Sequence, residues 1–514
     1  MRSWAAKVGT SPPPGPGLGR AARQRSEWSG YLSTKYESMR SLLLTILAFG
    51  LSPFVSSAQI TWKRTYGGYG VDRAYSVRQL ADDGSIVLGS TGSFGAGGGD
   101  VYLFRIDNSG ERLWSRTFGG PGVDQGNSVR VLDDGGYVFV GSTDAGNGYD
   151  GSLVRTDDSG IAVFEKSIGT TDWDFLHDVQ ALPDGFLAVG TSYGTGNGAG
   201  DIWLVRTDLN GDTLWTRSLG GAWSDEGRSV RATPDGGAVL AGGIGRDDGD
   251  GDVVVIKVDA AGTEEWRTEL GGDSLDLAMS VALLPGGGYA VGGWSDSYYP
   301  ERCMYVAKLD GQGQLEWENP LSTADADWEG HEVGADASGN ILLAGFTKAY
   351  GAGGADFYLL TLDTDGQYVN GPTYGGAGDD QAWSFDFCAD GGFIVAGGTE
   401  SFGPGNAAAL IIRTNGQPDN GPVIEELDPL RVPNVPFQER SPIHPNPVSP
   451  GQLLTIDADG PVLHAELLDM HGRPVHAWRR PTTSLVIPCL PSGVHVLRLQ
   501  LGGGSILSAP LLVR

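Results

Sequence analysis

The chain has 514 residues, of which 83 are glycine, and it carries a formal net charge of −28. This length allows two to four domains, and 40% hydrophobic content with 14 tryptophans is too apolar for a disordered acidic chain. The acidic charge argues against a nucleic-acid partner, because phosphate binding needs clustered lysine and arginine. Three widely spaced cysteines, Cys303, Cys388 and Cys489, support neither a disulfide framework nor a cysteine metal site.

The N-terminal region predicts a leader followed by an export signal. Residues 1–38 differ in composition from the rest of the chain and represent either an over-extended start or an unusually long leader. Residues 39–58 predict a secretory signal peptide, because an apolar run from Leu42 to Phe54 ends at small residues that suit cleavage before Gln59. The alternative is a membrane anchor, but such a run spans only about 20 Å of a hydrocarbon core roughly 30 Å thick. We therefore expect no transmembrane helix in the mature chain.

An internal repeat of about 51 residues occupies most of the remaining sequence. An aromatic residue recurs at Trp62, Trp114, Phe164, Trp215, Trp266 and Trp317. A glycine keeps the same spacing at Gly110, Gly160, Gly211, Gly262, Gly313, Gly366 and Gly416. An aspartate does so at Asp72, Asp124, Asp174, Asp225, Asp276, Asp327 and Asp380. A fixed period of this size indicates a solenoid or a propeller.

Each repeat unit contains four short strand candidates and no helical period. In the first unit the predicted strands are Ser76–Leu80, Ser85–Thr91, Asp100–Asp107 and Arg112–Thr117. Four antiparallel strands in about 50 residues make one propeller blade. The seventh unit lacks a fourth strand, whereas residues 59–64 read as a fourth strand with no unit before them. We therefore predict an all-β fold with a seven-bladed β-propeller over residues 59–417, closed by the N-terminal strand so that no sheet edge stays open.

Several units share the form D-x-x-G-x-x-x-W, as in Asp107–Trp114, Asp208–Trp215 and Asp310–Trp317. This form resembles the docking turn of quinoprotein and related propellers, and the whole unit resembles the Gly-rich propeller repeats of secreted bacterial proteins. The resemblance implies that the glycine takes the positive φ of the turn and that the tryptophan packs between neighbouring blades. Phe164 and Asn370 depart from the pattern.

The C-terminal region predicts a linker and a second small domain. Residues 418–442 are rich in proline and glutamate, as linkers often are. Residues 443–514 contain alternating strands around Leu453–Ile456, Leu463–Asp469, Val475–Trp478 and Val494–Leu499. The segment Asp469–Val475 lies between two of these strands, and the segment Leu490–Leu499 follows them. The region resembles the C-terminal sorting domain of the type IX secretion system, a small β-sandwich. The resemblance implies export by that secretion machinery to the outer cell surface or the medium. His495 replaces the family's usual tyrosine, and an ordinary accessory β domain is the alternative.

Motifs for catalysis are absent: the chain has no nucleophile elbow, no His-Glu-x-x-His and no P-loop. The acidic loop containing Asp247, Asp248, Asp250 and Asp252 could supply oxygen ligands to Ca²⁺, which is the one candidate cofactor. Its alternative is a solvated acidic turn. The recurring aspartates that precede the first strand of each unit predict turn capping through backbone N–H groups.

One position varies among the otherwise similar units, two residues before the recurring valine of the first strand. Its occupants are Tyr75, Asn127, His177, Arg228, Met279, His331 and Trp383. We expect these seven residues, named here the rim residues, to lie at the mouth of the central channel and to contact any ligand there. Drift at an unconstrained position is the alternative.

These observations favour a secreted or cell-surface propeller that binds an extracellular protein or glycan without catalysis. The competing hypotheses are a propeller enzyme, such as a polysaccharide lyase, a glycosidase or a quinoprotein-like dehydrogenase, and a structural spacer in an extracellular layer.

Overall fold

The computed structural model describes residues 58–418, apart from 147, 248, 324 and 325. It also describes the following C-terminal stretches: 443–444, 449, 452–456, 462–468, 474–478, 484–488, 493–501 and 506–513. The predicted leader, all but the last residue of the predicted signal peptide, and all but the first residue of the predicted linker lie outside the described residues.

Residues 58–418 form seven antiparallel sheets, named here blades 1 to 7. Strand β1 (Ala58–Tyr66) comes first and belongs to blade 7. Blade 1 contains β2 (Asp72–Gln79), β3 (Ser85–Thr91), β4 (Asp100–Ile106) and β5 (Arg112–Phe118). Blade 2 contains β6 (Gln125–Val131), β7 (Tyr137–Asp144), β8 (Tyr149–Thr156) and β9 (Ala162–Ile168). Blade 3 contains β10 (Asp174–Leu182), β11 (Gly185–Ser192), β12 (Asp201–Thr207) and β13 (Thr213–Leu219).

The later blades repeat this order. Blade 4 contains β14 (Glu226–Ala232), β15 (Ala238–Gly245), β16 (Gly251–Val258) and β17 (Glu264–Leu270). Blade 5 contains β18 (Asp276–Leu283), β19 (Tyr289–Ser295), β20 (Cys303–Leu309) and β21 (Leu315–Leu321). Blade 6 contains β22 (Trp328–Ala335), β23 (Ile341–Thr347), β24 (Asp356–Leu362) and a fourth strand split into β25 (Tyr368–Asn370) and β26 (Thr373–Tyr374). Blade 7 contains β27 (Asp380–Phe387), β28 (Phe393–Thr399) and β29 (Ala408–Pro418).

The N-terminal strand completes blade 7, as the sequence predicts. Strand β1 pairs antiparallel with β29 from Ala58 to Tyr66, so the sheet order is β1-β29-β28-β27. Its side chains also reach blade 1, where the Tyr66 hydroxyl donates to the carbonyl oxygen of Gly110 at 2.6 Å and Arg64 pairs with Glu111 at 2.7 Å. The ring is therefore joined across its first and last blades, and the prediction of an all-β propeller is confirmed.

Apolar cores lie between neighbouring blades. The core between blades 1 and 2 contains Leu88 and Phe139, and the core between blades 7 and 1 contains Ile411 and Phe104, all of them fully buried. Most core residues come from the three inner strands of each blade. These strands are apolar on both faces because a neighbouring blade covers each face. Burial of apolar area on both faces of each sheet supplies the main stabilising free energy of the ring.

The repeated tryptophans and glycines meet across the blade boundaries. A Cβ added to Gly262, at φ +76°, would lie 2.7 Å from the ring of Trp215, and the same contact joins Gly160 to Trp114. The turn therefore needs glycine both for its left-handed backbone and for the space that the indole takes. The expected placement of tryptophan between blades is what these contacts show.

Six of the seven repeated aspartates cap the turn before the first strand, as expected. For example, the Asp72 carboxylate accepts from the N–H of Gly68 at 2.7 Å, and Asp380 accepts from Gly376 at the same distance. Asp327 does not occupy this position: Trp328 begins its strand, and the Asp327 carboxylate pairs with Lys348 at 2.8 Å. Counting by the repeat period selects Asp327, but the position equivalent to the other capping aspartates is that of Trp328, one residue later.

The described C-terminal strands form two sheets. The first contains β30 (Ile443–His444), β31 (Leu453–Ile456) and β34 (Ser484–Val486), and the second contains β32 (Val462–Leu468), β33 (Pro474–Trp478), β35 (Gly493–Leu501) and β36 (Ile506–Val513). Leu454 and Leu485 of the first sheet share a buried core with Leu467, Leu497 and Leu511 of the second. The predicted small β-sandwich is therefore present. Within the described residues, no helix is long and apolar enough to cross a membrane.

Candidate ligand-binding site in the central channel

Each rim residue is the extra residue of a β-bulge in the innermost strand of its blade. In blade 1, Ala74 pairs with Gly89 and Ser76 with Leu88, so Tyr75 has no partner in the ladder. The same register shift occurs in the other six blades, at Asn127, His177, Arg228, Met279, His331 and Trp383. A bulge bends the strand and redirects a side chain, which is why bulges are frequent beside functional sites.

A glycine on the adjacent strand makes room for every bulge. A Cβ added to Gly242 would lie 1.9 Å from the carbonyl oxygen of Glu226, and one added to Gly89 would lie 1.8 Å from that of Arg73. The equivalent glycines in the remaining blades are Gly141, Gly190, Gly293, Gly345 and Gly397. The recurring glycine of the second strand is therefore the sequence signal from which these bulges can be predicted.

All seven rim residues line one cavity of about 90 Å³ at the centre of the ring. None of them is fully buried. The cavity is well below the roughly 300–1,000 Å³ of pockets that enclose a small ligand. It therefore suits one chemical group of a larger ligand. The expected convergence of these residues at the channel is what the structure shows, while ligand contact stays a prediction.

The residue after the bulge joins neighbouring blades beneath the rim in most blades. These residues are Ser76, Ser128, Asp178, Ser229, Ser280, Glu332 and Ser384. In five blades the side-chain oxygen accepts from a backbone N–H of the next blade, for example Ser76 from Val129 at 3.2 Å and Ser384 from Val77 at 3.1 Å. Buried N–H groups around the channel are thus satisfied between blades rather than within the sheet.

An ion-pair layer lies at the floor of the cavity. The Asp178 carboxylate accepts from Arg130 at 2.7 Å and from Arg231 at 2.6 Å, while Arg78 donates to both carboxylate oxygens of Glu332 at 2.8 and 3.4 Å. These three arginines and Glu332 also line a second cavity of about 230 Å³. Sequence reasoning missed this layer, although Asp178 and Glu332 stand where five other repeats have serine.

The ion pairs fix the charge of this layer. Burial opposes ionisation of Asp178, but Arg130 and Arg231 hold its pKa well below the usual range. Burial likewise opposes ionisation of Glu332, and Arg78 then holds its pKa below the usual range. Burial, with Arg78 and Arg231 nearby, lowers the pKa of Arg130 to about 9, which leaves it charged at neutral pH. Both carboxylates therefore stay ionised, which suits ion pairing and not proton donation.

The two rim histidines are neutral at pH 7. Burial and the nearby charge of Arg228 lower the pKa of His331 to about 4, and the same two causes place the pKa of His177 well below 6.5. The Arg228 guanidinium itself pairs with Glu226 at 2.6 Å. The rim thus presents neutral imidazoles beside a permanent positive charge.

Aromatic side chains occupy two parts of the mouth. Tyr75 and Trp383 of the adjacent blades 1 and 7 have ring centroids 4.9 Å apart. On the other side, Phe175 stacks on His177, and Trp173 and Tyr193 both contact Phe175 edge-on. Trp173 is 54% exposed. We name Trp173, Phe175 and Tyr193 the aromatic strip. Trp173 and Phe175 stand on either side of Asp174, the capping aspartate of blade 3. The residues at these two positions vary between units, and that variation could have revealed the aromatic strip.

The predicted calcium loop lies apart from the channel residues. Its Asp252 carboxylate is buried and pairs with Arg246, and Asp248 lies outside the described residues. Within the part of the chain that the structure describes, no three His, Cys, Asp or Glu side chains are grouped to hold a metal ion. Calcium binding by Asp247, Asp248, Asp250 and Asp252 stays a prediction.

Comparisons with known proteins bear on the fold alone. No protein-family model and no curated protein matches the chain. Among solved structures, the WD40 domain of Pan2 from Neurospora crassa is 12% identical with a TM-score of 0.43, covering 70% of this chain and 92% of that one. Sqt1 from Chaetomium thermophilum is 11% identical, with a TM-score of 0.41 and coverage of 70% and 99%. The β-propeller domain of the trilobed protease from Pyrococcus furiosus is 10% identical, with a TM-score of 0.40 and coverage of 71% and 100%. Similarities this distant carry no argument about function.

Proposed function

We propose that the protein is a non-catalytic recognition module that binds an extracellular protein or glycan at the mouth of the central channel. The observation that carries this proposal is the convergence of seven bulged side chains of six residue types on one cavity, within an otherwise repetitive framework. Variation at the rim on a constant scaffold is the arrangement that loop-borne specificity uses.

The chemistry of the channel supports binding over catalysis. Asp178 and Glu332 are the only carboxylates among the described residues that line the cavity, and both are ion-paired with arginine. A general acid needs a raised pKa, whereas theirs are lowered. The enzyme hypothesis therefore has no proton donor of this kind at the cavity.

The test is a screen for ligands followed by rim variants. A glycan array and a pull-down from culture medium would identify a ligand, and Tyr75→Ala and Trp383→Ala are expected to weaken its binding at least tenfold. The matched control is Trp223→Ala, which removes an exposed tryptophan that does not line the channel. Binding that survives both rim substitutions would contradict the proposal.

Export is a separate proposal that rests on the sequence. The predicted signal peptide of residues 39–58 and the resemblance of residues 443–514 to a sorting domain support passage through both bacterial membranes by the type IX secretion machinery, to the surface or the medium. Fusion of residues 443–514 to a fluorescent protein with its own signal peptide tests this. The fusion should leave a bacterium that has the machinery and stay in the periplasm of a mutant that lacks it; periplasmic retention in both strains would refute the proposal.

A further inference from the structure

Three consecutive blades each contribute to the rim cavity a residue with a buried polar atom that has no hydrogen-bond partner. The atoms are Nε of Arg228 in blade 4, Oγ of Ser280 in blade 5, and both ring nitrogens of His331 in blade 6. All three residues line the cavity, and the His331 side chain is only 10% exposed. Oε2 of Glu329 lies 3.8 Å from His331 Nε2, and this distance is too long for a hydrogen bond. Buried polar atoms left in this way cost free energy, so this arc is suited to a hydrogen-bonding ligand.

The arc offers donors to a negative charge. Arg228 Nε carries a hydrogen and cannot accept, and the Ser280 hydroxyl and one nitrogen of the neutral His331 ring can donate as well. Four arginines line the cavity, namely Arg78, Arg130, Arg228 and Arg231, against three paired carboxylates: Asp178 and Glu332 of the cavity, and Glu226, which pairs with Arg228. In a chain of net charge −28, this is a local excess of positive charge around an unfilled set of donors.

An aromatic surface adjoins the arc. Trp383 contacts His331 at a centroid distance of 6.5 Å and continues to Tyr75 at 4.9 Å. Flat aromatic rings of this kind pack against the C–H faces of sugar rings, with their polar atoms left to hydrogen-bond nearby. The donors of the arc suit a carboxylate, and the adjoining aromatic pair suits a sugar ring. A sugar ring that carries a carboxylate would use both.

We propose that the arc of Arg228, Ser280 and His331 binds the carboxylate of a uronic acid residue in an acidic glycan, whose ring packs on Trp383 and Tyr75. The cavity of about 90 Å³ takes the carboxylate end of one ring, and the rest of the glycan lies over the rim toward the aromatic strip. This inference rests on the proposed function, since it names the ligand class for the same site. An acidic peptide would use the same donors but gives the aromatic pair no ring to cover, so the glycan is favoured.

The experiment measures carboxylate preference on the intact protein. Uronate tetrasaccharides are arrayed beside their carboxyl-reduced forms, in which each carboxylate is replaced by CH₂OH, and beside tetraglutamate peptides. The best pair is then titrated by calorimetry. The acidic form should bind at least tenfold more tightly than its reduced form, because charge-assisted hydrogen bonds to the carboxylate are lost on reduction.

Two variants and one control assign the effect to the arc. Arg228→Gln and His331→Gln should each remove most of the tenfold preference, whereas Arg155→Gln, which breaks an exposed pair with Asp134, should keep it. Arg228 pairs with the partly exposed Glu226, so its replacement leaves no buried unpaired charge, and thermal unfolding of each variant checks the fold.

The outcomes separate this inference from the function on which it rests. Rim-dependent binding of reduced glycans equal to that of uronates, or a preference for tetraglutamate, would overturn the uronate assignment and leave the recognition module intact. Equal carboxylate preference in Arg228→Gln, His331→Gln and Arg155→Gln would overturn the arc. Absence of any ligand whose binding depends on Tyr75 or Trp383 would overturn both proposals.

Discussion

The Asp178 side chain joins three blades through one buried carboxylate. Its two carboxylate oxygens accept from Ser128 at 2.7 Å, from Ser229 at 3.2 Å, from the N–H of Val230 at 3.1 Å, and from Arg130 and Arg231. Blades 2, 3 and 4 therefore meet at one buried charge. Such a charge stabilises the fold only while its partners remain, because an unpaired buried ion costs several kcal/mol.

Replacement of Asp178 by asparagine should destabilise the protein by about 3 kcal/mol or more, because Arg130 and Arg231 lose their counter-charge inside the ring. Urea unfolding at pH 7 measures this. The control is Asp134→Asn, whose exposed pair with Arg155 contributes at most about 1 kcal/mol. Equal effects of the two substitutions would contradict the assigned role.

The same carboxylate predicts a pH dependence. Because its pKa is lower in the folded than in the unfolded state, its contribution is fully present above about pH 4, the usual aspartate range, and is lost as pH falls further toward the folded pKa. The wild type should therefore lose stability more steeply than Asp178→Asn between pH 5 and pH 3, as roughly bracketed by that range. Parallel acid limbs in urea-unfolding curves would refute this.

At the scale of the element, the innermost strand is where sequence reasoning both succeeds and falls short. The prediction that Tyr75 and Trp383 lie at the channel was possible because residues at the same point of each repeat occupy the same point on the innermost strand of each blade. The bulge itself was not predicted, since a two-residue alternation cannot show one extra residue without the paired strand. Asp178 and Glu332 were missed because their partners, such as Arg231 and Arg78, come from other repeats and meet them only when the ring closes.

Gly242→Ala tests the bulge as a unit. The added Cβ would lie 1.9 Å from the Glu226 carbonyl oxygen, so the strand pair must separate, and we expect a loss of about 1–3 kcal/mol together with weaker ligand binding through Arg228. Gly286→Ala is the control, because nothing lies within 4 Å of its added Cβ. Thermal unfolding and binding are measured on both. An unchanged melting temperature in Gly242→Ala would show that the bulge does not need glycine.

For the whole molecule, the seven blades and the closing strand follow from the sequence because each unit repeats its turns and its apolar alternation. The split fourth strand of blade 6 was not predicted: the sequence showed only that Asn370 stands where other units have tryptophan, and Phe164 departs from the pattern in blade 2 without a split. The exception at Asp327 shows the limit of counting in phase, since a shift of one residue moves a carboxylate from a turn cap to an ion pair with Lys348.

A chain that begins at Gly67 should self-associate more strongly than a chain that keeps β1. Without β1 the outer edge of β29 is unpaired, and an exposed strand edge of this length recruits other chains. Light scattering after size-exclusion chromatography should show a larger mass per particle for the truncated chain, and a synthetic peptide of residues 58–66 should reduce this added self-association. The same peptide with Trp62→Ala and Tyr66→Ala should reduce it less, because it loses the contacts to Asn108 and Gly110. No added self-association in the truncated chain would contradict this account of closure.

The pairing of β1 with β29 also restricts the order in which the blades can fold. Thr61 donates to the carbonyl oxygen of Arg413, 352 positions later in the chain. Strand β1 is synthesised before the seven blades, so it stays unpaired until β29 has been made. Contacts so distant in sequence form slowly, since the intervening loop must close before they gain anything. We therefore expect the pairing of β1 with β29 to be a slow step in folding. Until β1 pairs, blade 7 has three strands and the ring is open.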